Sequence, residues 1–135
     1  MNSYQIGDVA ELAVAADLAK KGYQVAFPFS TSCSWDLLLI RNDIFEKIQV
    51  KSVSLKNGVV PVKNKTHSNT SKKQTTRKYT SEEIDWFAVY CPELDDCFYI
   101  PISMIENKSG LNLRVYAPKN FQTSGVFWAK DFLSL

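Results

Sequence analysis

The sequence predicts an α/β fold: an N-terminal helix, a mixed sheet, and a long basic hairpin and loop inserted between strands. Three observations predict it. The first twenty or so residues are Ala-rich, lack Pro, and end in Lys20-Lys21-Gly22. Short apolar or alternating runs, separated by turn signals, follow from residue 23 to residue 117. From Lys47 to Ser81 the chain carries nine basic residues and no Asp or Glu.

Residues 5–21 read as the helix, with Gly22 as the stop. On a helical wheel Asp17, Lys20 and Lys21 share one side. Glu11 falls instead among Tyr4, Val14, Ala15 and Leu18. A carboxylate on an apolar side is costly to bury unless something pairs with it. The bland alternative is an edge position with the side chain reaching out to water. Residues 23–29 (YQVAFPF) read as a short strand and 30–33 as a turn. Trp35–Ile40 (WDLLLI) is a near-continuous apolar run, expected as a central strand covered on both faces, with Asp36 near its start.

Residues 41–43 are a turn signal, and 44–55 alternate: Ile48 and Val50 point one way, Gln49 and Lys51 the other. Asn57-Gly58 is a strong hairpin signal. It predicts that residues 59–62 return alongside the third strand, Pro61 keeping them at an edge. Residues 63–80 are rich in Ser, Thr, Asn, Gln and Lys and nearly empty of apolar groups, which predicts an exposed loop. Beyond it come a capped turn (81–85), strands at 86–91 and 97–100, a short helix at 101–107 opened by Pro101, and a last strand at 111–117. The aromatic tail caps the core or forms a subunit interface. The order is α-β-β-β-loop-β-β-α.

The length of 135 residues fits one domain, and 45% hydrophobic with 22% charged residues is an ordinary globular composition. It excludes a disordered tail, a collagen-like repeat and a disulfide mini-protein. No apolar run approaches the roughly 20 residues of a membrane-spanning helix, and no signal peptide is evident. Three cysteines (Cys33, Cys91, Cys97) and one histidine suit neither a disulfide scaffold nor a zinc site. They are expected to be small buried or half-buried residues of an intracellular, cytoplasmic protein.

The formal charge is only +2, yet the 47–81 segment carries +9 against −7 for the rest. Such a segment, with short polar side chains between the basic ones, suits contact with a phosphate backbone. The alternatives are a merely solvated loop or, less well, a membrane surface, for which the apolar face is missing.

Asp36, Gln49 and Lys51 fall on two strands joined by a tight turn, and the helix can bring Glu11 to the same place. Phosphodiester hydrolysis needs charge neutralisation and a positioned water. Hard carboxylate oxygens bind Mg²⁺, and a lysine ammonium orients the water and stabilises developing negative charge. The bland reading is an edge Asp beside an exposed strand. Several-histidine sites and P-loop chemistry find no support.

Glu11, SCSWDLLLI around Asp36, and IQVK ending at Lys51 together resemble the PD-(D/E)XK nuclease superfamily. Trp35 replaces the motif's Pro, and Gln49 stands where an acid is usual, which removes one negative charge. Within the superfamily the Gln-X-Lys variant, small size and basic insertion resemble the group I intron-encoded homing endonucleases of this type. That branch is similar in its core to Holliday-junction resolvases.

The resemblance implies a restriction-endonuclease-like core of αβββαβ type. It implies Mg²⁺-dependent cleavage of double-stranded DNA at a long specific site, with Mn²⁺ able to substitute. It implies metal ligation by Asp36, Gln49 and the Val50 carbonyl, with Glu11 a metal-water or outer-shell ligand and Lys51 beside the attacking water. One site per chain and two strands to cut imply a homo-oligomer, dimer or tetramer. Lys56, Lys63, Lys65, Arg77 and Lys78 are the expected DNA contacts. The expected organisation is a single domain (1–135). Its catalytic core covers about 1–55 and 82–107, its DNA-binding hairpin and loop about 54–80, and its tail (111–135) is a candidate interface. A structure-specific resolvase and a non-catalytic DNA-binding module are the alternative functions.

Overall fold

The computed structural model describes residues 1–70, 73–116 and 125–135. Its helix, α1, spans Ser3–Lys20, starting earlier than periodicity alone suggests. The reason is a reciprocal cap. The Asn2 side chain accepts the Gln5 N–H at 2.9 Å, and the Gln5 side chain accepts the Asn2 N–H at 2.9 Å. Gly22, at φ 89°, turns the chain out of the helix. The strands are β1 (Gln24–Ala26), β2 (Leu37–Arg41), β3 (Ile44–Ser52), β4 (Val59–Lys63), β5 (Thr66–Thr70), β6 (Lys73–Arg77), β7 (Trp86–Cys91), β8 (Asp96–Pro101), β9 (Gly110–Arg114) and β10 (Phe127–Trp128).

The main sheet has the order β1-β2-β3-β7-β8. Its β3–β7 pair is parallel, and its other pairs are antiparallel. The expected α/β class with a mixed sheet is therefore what the chain forms. Asn42 and Asp43, at φ 51° and 59°, make the two-residue turn between β2 and β3, a backbone that matches strand twist. Ala10, Val14 and Leu18 of α1 pack on Leu37, Leu39, Ile48 and Val50. The alternation of β3 is thereby explained: Ile48 and Val50 face the helix. Coverage of β2 is uneven, with Leu37 and Leu39 fully buried but Leu38 and Ile40 only half-buried. Asp17, on the same side as Lys20 and Lys21, is half-buried and accepts hydrogen bonds from Tyr99 Oη at 2.5 Å and Lys21 Nζ at 2.9 Å.

The expected return of residues 59–62 along β3 does not occur. Asn57 and Gly58 do form the turn, at φ 52° and 76°, and it closes a bridge between Lys56 and Val59. But β3 has β7 along one edge, and on the other, where β2 ends, Asp36 takes up the Ile48 carbonyl and the Val50 N–H. So β4 leaves it and pairs antiparallel with β9, in a three-stranded sheet of order β10-β9-β4. Pro61 is on an edge strand, as expected. Val60 and Val62 are buried there with Leu111, Leu113, Phe87, Val89 and Ile100, on the face opposite α1.

Residues 63–80 are also not a plain loop. β5 and β6 pair antiparallel from Thr66↔Arg77 to Thr70↔Lys73. A polar composition forecasts solvation but does not forbid a hairpin, whose backbone groups satisfy each other. Lys72 lies outside the described residues. The hairpin is anchored at its base by two buried residues, Asn64 and Tyr79. Residues 101–107 form only a 3-10 turn, Ile102–Met104. Tail residues Ala129 and Phe132 join the core with Leu111 and Leu113. The tail's 117–124 portion lies outside the described residues. No helix among the described residues is long and apolar enough to cross a membrane.

Candidate active site

The site arises where β2 parts from β3. Their pairing ends at Leu37↔Ile48, while β3 continues against β7 through Ser52. From Gln49 onward, β3 therefore has one edge without a strand. Asp36, the residue before β2, takes the vacated position: its N–H donates to the Ile48 carbonyl at 2.8 Å. Its Oδ2 accepts the Val50 N–H at 2.9 Å. In an extended strand the N–H and C=O of one residue point to the same edge, so the Val50 carbonyl faces this gap too. Gln49 Nε2 donates to that carbonyl at 3.4 Å, a long and weak bond.

Glu11 reaches the same place from α1. Burial raises its carboxyl to about 7, and the Asp36 charge and a side-chain hydrogen bond with Asp36 add to the rise. Burial also raises Asp36, while the Val50 N–H, the hydrogen bond from Glu11 and the Lys51 charge work the other way. Both carboxyls are thus held above the ordinary carboxylate range, burial being the largest cause for each. The apolar-side position of Glu11 on the helix has a physical account: it is turned toward Asp36, with which it lines a cleft of about 230 Å³.

Lys51 approaches from β3. Its Nζ donates to the Lys65 carbonyl at 3.1 Å and lies 5.3 Å from the centre of the Phe87 ring. Burial and the Lys65 charge lower its pKa, and Asp36 opposes them. A second cleft of about 260 Å³ is lined by Lys51, Lys63 and Lys65 among others. So Glu11, Asp36, the Val50 carbonyl and Lys51 come together, with Gln49 beside them.

The expected DNA contacts are more scattered. Lys63 and Lys65 share the Lys51 cleft. Lys56 is exposed at the opposite end of β4, and Lys78 is exposed just past β6. Arg77 is exposed but paired with Glu83 at 2.7 Å. The sequence reading missed the Lys65 carbonyl, which holds Lys51, and the buried Asn64, which nothing in a polar stretch marks out. It also missed Phe27 and Pro28, which line the Glu11–Asp36 cleft.

The donors suit a hard divalent cation. Two carboxylates that cannot both ionise comfortably, a backbone carbonyl and an amide oxygen match Mg²⁺, which takes one or two carboxylates and keeps waters and phosphate oxygens. No group of three His, Cys, Asp or Glu residues is found among the described residues. Glu11 and Asp36 are the acidic groups brought together here, and Gln49 beside them is neutral.

A family model described as PD-(D/E)XK endonuclease matches residues 1–135. Among solved structures, the fold is similar to that of a bacterial homing endonuclease, I-Ssp6803I, with a TM-score of 0.75 and 23% identity. That match covers 92% of this chain and 84% of the other. No curated protein matches.

Proposed function

The chain belongs to the PD-(D/E)XK endonuclease family, and from that premise we propose that it is a sequence-specific homing endonuclease. It hydrolyses phosphodiester bonds of double-stranded DNA with Mg²⁺, or Mn²⁺ in its place, as an intracellular homo-oligomer, dimer or tetramer. One observation carries the reading: Glu11, Asp36 and Lys51 meet at the strand-free edge of β3, where a lysine-lined cleft adjoins them. The structural neighbour described as a homing endonuclease supports the choice within the family.

In this reading Asp36, Gln49, the Val50 carbonyl and Glu11 hold the cation, which supplies Lewis acidity and charge neutralisation at the phosphate. Asp36 is fixed for that task by the Val50 N–H. Glu11 would hold the cation as its carboxylate, its proton passing to solvent on binding. Lys51, fixed by the Lys65 carbonyl, orients the attacking water and stabilises the charge that develops on the phosphate oxygens. Lys56, Lys63, Lys65, Arg77 and Lys78 contact DNA, Arg77 by exchanging Glu83 for a phosphate. Two copies place two such sites on the two strands of a pseudo-palindromic target.

Competition between linear and four-way-junction DNA tests the substrate class. The proposal expects cleavage at discrete sites in linear duplex that junction DNA of unrelated sequence does not inhibit strongly. Cleavage confined to the branch, whatever the sequence, would establish a resolvase.

A further inference from the structure

The segment after β1 holds two aromatics where a soluble protein gains nothing from them. Phe29 is fully exposed and Phe27 half-exposed, with Pro28 between. Pro28 fixes its own φ and restricts Phe27, so the pair is held out from the surface. The turn behind them is braced from within. Ser30 Oγ and Ser32 Oγ are 2.7 Å apart, and Cys33 Sγ donates to the carbonyls of Ser30 and Trp35. This projection is not remote from the chemistry: Phe27 and Pro28 line the same cleft as Glu11 and Asp36.

Resting on the nuclease reading, we propose that Phe29, supported by Phe27 and Pro28, is a wedge that enters the base stack beside the scissile phosphate. Three features favour a nucleobase as the occupant over a second copy of the chain. Phe27 and Pro28, which flank Phe29 on its N-terminal side, border the carboxylates that must meet a phosphate. A base and its own phosphate are joined by one sugar. Phe and Pro are the residue types that wedge into base steps and kink a duplex, and any base offers a face for stacking. The wedge bends DNA toward the cleft and adds a sequence preference, because pyrimidine–purine steps part most easily.

The test is the unwinding of relaxed closed-circular plasmid by the full-length protein in EDTA, with a metal-independent topoisomerase present. DNA binding is followed by gel shift and the fold by circular dichroism. Wild type is expected to shift the topoisomer distribution. Phe29→Ala is expected to bind within about threefold of wild type yet lose most of the shift, and Phe29→Trp to restore it. On a mapped target with Mg²⁺, Phe29→Ala is expected to cleave about tenfold more slowly, the scale of one lost stacking contact. Equal unwinding by wild type and Phe29→Ala, or none by a wild type that binds, overturns the wedge. So does a Phe29→Ala that changes oligomeric state while unwinding normally, which would seat the aromatics on a second copy. Unwinding without any Mg²⁺-dependent cleavage would leave the wedge standing and remove the nuclease.

Discussion

Lys51 Nζ hydrogen-bonds the backbone carbonyl of Lys65 at 3.1 Å, joining β3 to the base of the basic hairpin. The bond uses the Lys65 backbone, so the Lys65 side chain and the Lys51 side chain have separable roles. Lys51→Ala should cut the cleavage rate by about a thousandfold, the scale of losing one preorganised charge stabiliser, with target binding nearly intact. Lys65→Ala should keep the rate at saturating DNA but weaken binding. It should lower the salt slope by about 0.9, the contribution of one phosphate contact. Rate and binding assays on the two variants across a salt series check both.

Glu11 makes the metal-free protein pH-sensitive. Its folded value of about 7 lies above the ordinary 4.5, because of burial first and Asp36 second. The stability it contributes is therefore full below about pH 4.5 and lost as the pH rises through about 7. Thermal melts in EDTA should show wild type falling across that window relative to Glu11→Gln. Under the proposed function, Mg²⁺ binding would have the opposite sign, since it needs the ionised carboxylate. Calorimetry should show wild-type affinity rising from pH 5.5 to 8 and a flatter profile in Glu11→Gln.

Asn64 holds the base of the hairpin. Its Nδ2 donates to the carbonyls of Tyr79, Ile105 and Glu106 at 3.4, 3.1 and 3.3 Å, and its Oδ1 accepts the Tyr79 N–H at 2.9 Å. Asn64→Leu leaves these buried groups without partners and should cost about 2–3 kcal/mol, read by urea denaturation. Because the hairpin base loosens, DNA binding should weaken as well.

Gly110 is opposite Lys63 in the β4–β9 pair. A Cβ there would collide with the Val62 carbonyl oxygen and approach the Lys63 Cα to 3.1 Å. Both are backbone atoms that cannot turn aside, so Gly110→Ala should destabilise by about 1–3 kcal/mol. Gly7, with nothing near its Cβ position, should gain up to about 1 kcal/mol on the same change, since it sits inside α1. Denaturation midpoints of the two variants compare the effects directly.

The parts of the fold legible in the sequence are those with a local signal. The Ala-rich composition of α1 and its Gly22 stop, the alternation of β3 and the apolar runs of β7 and β8 each mark an element. Glu11 is legible for the same reason: a carboxylate on a helix's apolar side asks for a partner, and Asp36 is that partner. What is not legible depends on distant occupancy. The Asn57-Gly58 turn is real, but β4 pairs with β9, a strand far along the chain to which no local signal points. Asn64 looks like any other polar residue in 63–80 until Tyr79 and Ile105 close over it. The β5–β6 hairpin escapes because its polar sequence has no hydrophobic period to read.

The central claim is that Glu11, Asp36 and Lys51 form a metal-dependent phosphodiesterase site. It is tested most directly by incubating wild type and Asp36→Asn with a sequence-diverse plasmid library, in Mg²⁺ and in EDTA. The account predicts discrete products from wild type in Mg²⁺ alone, and none from Asp36→Asn that still binds DNA. Equal cleavage by both proteins, or cleavage by wild type undiminished in EDTA, would contradict it.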